Sequence, residues 1–329
     1  MSWAGKKVLV TGAGGFIGSH LVEALVERGA RVRALVHYHN DSTWGGLDHS
    51  PVRNDVEVVQ GDVRAWDSVA LALEGQEIVY HLAALISVPY SYWTPQDYLM
   101  TNAAGSLNVF QWALKAGVER VIHQSTSEVY GTAQRVPMDE AHPTDPSHPY
   151  GASKLAAEQM AMAMHRVYGL PVVVIRAFNT YGPRQSIRAV IPSAITQALA
   201  RGEIRLSNLQ STRDFLHISD AVAGLVRAAE VPSAVGQVFN LGTGQELAMW
   251  QVGEMVVEAL DRCQVPIVED IDHARPERAE VHRLCADSRK AATLLDWRAQ
   301  VPVWEGIPAA VEWFGQNRHL YPKEGRFLI

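Results

Sequence analysis

The chain has 329 residues, with 29 Lys and Arg against 35 Asp and Glu, giving a formal net charge of −6. That length suits one large domain or two intimate ones of about 150 residues each. The basic clusters are no longer than pairs such as Lys6-Lys7, so the chain lacks the footprint of a nucleic-acid binder.

Cys263 and Cys285 are the two cysteines, and the 13 histidines are scattered without metal-ligand spacing. No disulfide framework and no metal are expected, and this cysteine usage fits a reducing cytoplasm. Residues 1–7 lead straight into a strand, and no apolar stretch approaches the ~20 residues that span a bilayer. Neither a leader nor membrane insertion is therefore expected.

Taken in order, Lys7 to Val10 reads as a buried strand, Phe16 to Arg28 as a helix closed by Gly29, and Arg31 to Val36 as a second strand. Strands at 56–59, 77–80, 118–123 and 171–175 then alternate with helices at 65–73, 96–116 and 150–168. This rhythm predicts an α/β fold: a Rossmann-type doubly wound parallel sheet with right-handed crossovers, forming a dinucleotide-binding domain over residues 1–177.

After Ala177, Pro183, Pro192, Pro232, Pro266 and Pro276 punctuate shorter elements. Helices are expected at 192–202, 219–230, 247–261, 288–295 and 307–317, and a strand at 237–240. Residues 178–329 read as a smaller C-terminal substrate domain, with a return to the first domain near 214–242. With no linker between the two, ligand should bind above the carboxyl ends of the strands.

Thr11-Gly-Ala-Gly-Gly-Phe-Ile-Gly18 follows the first strand and opens the first helix. Small residues there let the backbone approach a pyrophosphate, and the helix N-terminus offers unpaired N–H groups. Gly12, Gly15, Phe16, Ile17 and Gly18 are candidate cofactor contacts. So are Asp62 and Val63 after the third strand, and Leu82, Ala83 and Ala84 after the fourth.

The second strand ends in Val36-His37-Tyr38-His39-Asn40, without the acid that would meet an adenosine ribose diol. A ribose phosphate is tolerated there, with His37 or Asn40 to contact it, so the reading leans to NADP with NAD as the alternative.

Tyr150 and Lys154 lie four apart, hence on one helical face. A nearby ammonium favours phenolate, so the pair can take a hydroxyl proton while hydride leaves for a nicotinamide. Thr126-Ser127-Glu128, after the fifth strand, adds a carboxylate able to remove a carbon-bound proton.

These segments, with His81 to Ala84, Ser125 to Gly131, Phe178-Asn-Thr-Tyr-Gly-Pro-Arg184, Arg213-Asp-Phe215 and Arg275-Pro276, resemble the extended short-chain dehydrogenase/reductase family over nearly the whole chain. Within it, Thr126-Ser127-Glu128 resembles the nucleotide-sugar 4,6-dehydratases. The triplet looks particularly like the GDP-mannose enzymes and the similar ones acting on N-acetylglucosamine nucleotides in legionaminic acid pathways. The resemblance implies that Thr126 bonds the sugar near its 4-hydroxyl, that Tyr150 is the base there, and that Lys154 also holds the nicotinamide ribose.

Glu128 would then abstract the C5 proton and the C6 hydroxyl would leave as water, giving a 4-keto-6-deoxy sugar from an NDP-hexose. Many dTDP-glucose dehydratases carry Asp where this chain has Ser127, which leaves the leaving-group proton to either Ser127 or Glu128.

Arginine forks suit a diphosphate. Arg184, Arg213 and Arg275 are the candidates, with Asn179 and, from the aromatic loop Ser87 to Pro95, Ser87 as further substrate contacts. The resemblance also implies a homodimer through a four-helix bundle of the helices near 96–116 and 150–168. A UDP-glucuronate decarboxylase and a 4-epimerase are the rival activities.

Overall fold

The computed structural model describes residues 1–38, 43–261, 264–271 and 276–321. Asn40, Cys263 and Arg275 lie outside the described residues.

Strand β1 (Lys7–Thr11) has a wholly buried Val8-Leu9-Val10 core, as a strand covered on both faces requires. Helix α1 (Phe16–Glu27), β2 (Arg31–Val36), β3 (Glu57–Gln60), α2 (Trp66–Leu73) and β4 (Ile78–His81) follow within a residue of their expected bounds.

Part of the expected loop at 87–95 is instead a short helix, α3 (Val88–Trp93). Ser87 caps it by accepting from the Tyr90 N–H at 3.4 Å, and Pro89 sits in its first turn. Next, α4 (Pro95–Tyr98), a π turn at Leu99–Ala104 and α5 (Gly105–Ala116) run on as the helix expected at 96–116. Strand β5 (Arg120–Thr126), helix α6 (Pro149–Tyr168) and strand β6 (Val172–Ala177) complete this part. Pro149 opens α6 at a position with no N–H to lose, and Gly169 closes it at φ +72°.

The remaining elements are β7 (Asn179–Tyr181), α7 (Val190–Arg201), β8 (Ile204–Leu206), β9 (Thr212–His217), α8 (Ile218–Glu230), β10 (Val238–Leu241), β11 (Glu246–Ala248), α9 (Met249–Ala259), β12 (Ile267–Glu269), α10 (Arg289–Leu294) and α11 (Val303–Gln316).

Seven strands form the main sheet in the order β10-β6-β5-β4-β1-β2-β3, paired in parallel throughout. Alternate residues of β1 feed opposite layers. Val8 and Val10 pack in the core with Leu21 and Leu25 of α1 and Leu225 of α8, whereas Leu9 packs with Val69 of α2, Phe110 of α5 and Met164 of α6.

Strand order reverses between β1 and β4, which opens a crevice at their carboxyl ends. Beyond β6 the chain leaves the sheet and returns as β10. The excursion and the chain after β10 together build a three-stranded sheet, with β9 paired parallel to β7 and antiparallel to β11, and the β8–β12 pair. Ile195, Val252 and Phe314 pack α7, α9 and α11 into one core with Tyr181 and Phe215. No helix among the described residues is long and apolar enough to cross a membrane.

Candidate active site

The turn after β1 is a cradle that side chains would fill. A Cβ on Gly12, where φ is +69°, would stand 2.8 Å from the Ala83 nitrogen, and one on Gly18 would stand 2.2 Å from the Gly12 oxygen. Helix α1 begins at Gly15 without a side-chain cap or an acid in its first turn, so it suits an anionic ligand. These features fit a dinucleotide pyrophosphate.

At the far end of β2, Asp62 stands 3.6 Å from His37 and is gripped by Arg64, whose Nη2 donates at 2.6 Å. Arg64 holds the Asp62 carboxyl below its ordinary range, more than burial opposes that.

A buried polar chain stiffens the crevice wall. The Ala83 N–H donates to Thr11 Oγ1 at 3.1 Å, and Thr11 Oγ1 lies 2.8 Å from His81 Nδ1. His81 Nε2 lies 2.9 Å from Ser106 Oγ, which donates to the Asn102 carbonyl at 2.5 Å. Because Ser106 spends its proton on Asn102, His81 carries its hydrogen on Nε2 and accepts from Thr11 on Nδ1. Burial lowers the His81 pKa to about 3, so the ring stays neutral.

Asn102, in the π turn, donates through Nδ2 to the Leu85 carbonyl and to Ser153 Oγ, each at 2.9 Å. The segment after β4 is thereby tied to α6.

The reacting groups converge where β5 runs into α6. Thr126 ends β5, and its Oγ1 accepts from the Glu128 N–H at 3.2 Å. Ser127 and Glu128 are buried in the turn that follows. Tyr150 and Lys154 stand one turn apart on α6, both buried.

Burial drives the Tyr150 phenol well above its ordinary pKa; a hydrogen bond with Thr126 opposes this and the Glu128 charge adds to it. Burial lowers Lys154 to about 8, and the Glu158 charge opposes it. Glu128, Thr126 and Tyr150 are thus within electrostatic or hydrogen-bonding reach of one another.

Some candidates are held differently from the expectation. Arg184, assigned to the diphosphate, is committed elsewhere: its fork makes two 2.7 Å bonds to Glu23 of α1, pinning the excursion to the first helix. Arg213 is buried, with Nη1 donating to the Thr212 carbonyl at 2.9 Å and Nη2 3.3 Å from Glu280. Ser87 serves as the α3 cap, and its carbonyl accepts from the Tyr98 hydroxyl at 2.5 Å. Asn179, just beyond β6, keeps a buried Nδ2 without a hydrogen-bond partner among the described residues, as expected of a donor reserved for ligand.

Residues that sequence reasoning missed include Asn102, Arg64 and His148. His148 Nε2 lies 2.9 Å from Glu128 Oε2, and its ring stacks on Tyr150 at 5.9 Å between centroids. Its position before Pro149, at a helix start, was the available signal. Asn102 offered none, because its partners are 17 and 51 residues away.

Residues 9–309 match the sequence pattern of the GDP-mannose 4,6 dehydratase family. The chain belongs to this family. Among similar members, the dTDP-glucose 4,6-dehydratase of Actinoplanes sp. is 31% identical over 320 residues, spanning 95% of this chain and 98% of its own. The UDP-glucose 4-epimerase of Mycolicibacterium smegmatis is 33% identical over 317 residues, spanning 94% and 98%.

A double mutant of the dTDP-glucose 4,6-dehydratase DesIV from Streptomyces venezuelae, solved with NAD bound, superposes with a TM-score of 0.85 at 30% identity, over 97% of this chain and 100% of its own. The GDP-mannose 4,6 dehydratase family is also a branch of the extended short-chain dehydrogenases/reductases, so the seven-stranded sheet and its crevice are family features.

Proposed function

We propose that the protein is a nucleotide-sugar 4,6-dehydratase that converts an NDP-hexose to its 4-keto-6-deoxy derivative. The observation that carries this reading is Glu128, whose charge acts on Tyr150 from beside Thr126. A simple alcohol oxidation or a 4-epimerisation needs Tyr150 and Lys154 and has no use for a second base.

A nicotinamide dinucleotide fits the glycine cradle, with Gly12, Gly15, Phe16, Ile17, Gly18, His37, Asp62, Val63 and Leu82 to Ala84 around it, and supplies a hydride acceptor that later returns the hydride to C6. Tyr150 takes the C4 hydroxyl proton, helped by the Lys154 cation. With C4 a ketone, the C5 hydrogen is acidified and Glu128 removes it. The C6 hydroxyl departs with a proton from Glu128 or Ser127. As the hydride returns to C6 a proton is delivered to C5, balancing the one Tyr150 took from the C4 hydroxyl, so one water is lost and there is no net oxidation.

Arg213 and Asn179 are proposed to hold the sugar diphosphate, and Arg275 keeps that proposed role by resemblance. The missing acid at the end of β2 favours NADP on electrostatic grounds, whereas the DesIV neighbour carries NAD. The mass of the dinucleotide released from purified protein decides between them. A homodimer is proposed through α6 and the 95–116 helical run. Ala152, Ala156, Met160 and Val167 leave an exposed apolar stripe on α6, and Leu99 and Met100 are exposed on its neighbour. A reducing cytoplasm is the compartment proposed.

The test is incubation with dTDP-glucose, GDP-mannose and UDP- or GDP-N-acetylglucosamine, followed by mass spectrometry. Loss of one water with a 4-keto product is expected, and its absence for every nucleotide hexose tried overturns the reading.

The similarity to a UDP-glucose 4-epimerase favours epimerisation as the second reading. A Glu128→Gln variant with full activity would establish that alternative. Release of carbon dioxide from UDP-glucuronate would instead mark a decarboxylase.

A further inference from the structure

His148 holds two positions at once. As the N-cap of α6 it accepts the Gly151 N–H on Nδ1 at 3.0 Å. A nitrogen that accepts carries no hydrogen, so the neutral ring places its one proton on Nε2. Nε2 lies 2.9 Å from Glu128 Oε2, and the His148 side chain is fully buried.

The imidazole also lies within 7° of parallel to the Tyr150 ring. Gly151 leaves no slack, since a Cβ there would stand 2.7 Å from the Glu128 carbonyl oxygen and 3.3 Å from His148 Cε1. Ser or Asn satisfies a helix cap equally well. A cap residue that must also donate to a carboxylate beyond the helix needs a second polar atom farther out, which imidazole provides.

We propose that His148 is a positioning residue for the elimination step: through its Nε2–H it orients the Glu128 carboxylate, and through its cap and ring contact it fixes that carboxylate relative to Tyr150. This rests on the dehydratase reading. Helix α6 thereby carries the base for the C4 hydroxyl directly and sets the place of the base for C5 through His148. The two proton transfers are held in register by one helical turn.

The test separates the cap from the donor. His148→Asn keeps a cap acceptor at the Nδ1 position but is too short to donate to Glu128, whereas His148→Gln extends an amide N–H towards it and gives up the cap. With a nucleotide sugar that the wild type dehydrates, two signals are followed: absorbance of the reduced nicotinamide, which reports C4 oxidation, and exchange of the C5 hydrogen with deuterated water.

For His148→Asn, the reduced cofactor is expected to accumulate while C5 exchange falls on the order of tenfold to a hundredfold, less than the ~10²–10⁴-fold typical of losing a general base outright. His148→Gln is expected to recover most of the exchange despite a lower melting temperature. Wild-type exchange in His148→Asn, or equal loss of oxidation and exchange in both variants, overturns the proposal. A wild type that forms no 4-keto-6-deoxy product instead sinks the dehydratase reading, and this one with it.

Discussion

Lys154 donates its ammonium to the backbone carbonyl of Gln124 at 2.5 Å, so the cation of α6 is tied to β5 two residues before Thr126. Burial lowers this lysine to about 8, below its ordinary 10.5. The folded state thus resists the charged form, and between those two values the unfolded chain binds more protons. Stability from this group must therefore rise with pH across that window and be lowest below about 8. Against a Lys154→Met variant, the wild type is expected to gain up to about 3 kcal/mol between the two ends of the window. Urea melts at the two pH values measure it, and a constant difference between the proteins would contradict it.

Tyr150 sits in a setting that disfavours its anion, which the hydrogen bond with Thr126 opposes. Tyr150→Phe should lower C4 oxidation by about 10²–10⁴-fold while leaving the dinucleotide bound. Single-turnover absorbance of the reduced cofactor checks the rate, and cofactor content checks the fold. A loss below tenfold would remove Tyr150 from the role of base.

Arg184 and Glu23 form a two-pronged pair, with side chains 9% and 17% exposed. Glu23→Gln and Arg184→Met should each cost about 1–3 kcal/mol, with a coupling of about 1–2 kcal/mol in the double-mutant cycle. The KM for the nucleotide sugar should change little. A tenfold rise in KM without coupling would return Arg184 to the diphosphate.

Beneath the site, Glu158 accepts from Arg176 Nε and from Ser125 Oγ, each at 3.0 Å, and pairs with Arg176 Nη2 as well. Arg176 Nη1 also donates to the Tyr130 hydroxyl at 2.8 Å, which in turn donates to Asn240 Oδ1 at 2.7 Å. Glu158→Ala leaves a buried guanidinium uncompensated, so it should destabilise the fold by about 3–5 kcal/mol. An unfolding free energy from denaturant melts within about 1 kcal/mol of the wild type would show that water replaces the lost carboxylate.

The parallel sheet was legible because its cues are local. Val8-Leu9-Val10, the glycine turn and Gly29 lie within thirty residues, and each acts on the backbone next to it. Ser87 was read as a sugar contact because its sequence neighbours are aromatic. Its role as a cap depends on Tyr90 and Pro89 entering a helix, which propensity in so short a segment does not settle. Arg184 is a diphosphate candidate in the sequence because its planar fork suits phosphate oxygens. Glu23, which takes its fork, is 161 residues away, and nothing local to either residue announces the pairing.

The order of residues by itself determined the dinucleotide turn, the Tyr150–Lys154 spacing and the presence of Glu128, because helical periodicity and turn chemistry act over a few residues. Tertiary structure alone decided which partner each buried charge obtains: Gln124 for Lys154, His148 for Glu128, Glu23 for Arg184 and Arg176 for Glu158. Away from water, polar groups must be satisfied by whatever the packing brings near, and packing joins strands and helices far apart in the chain.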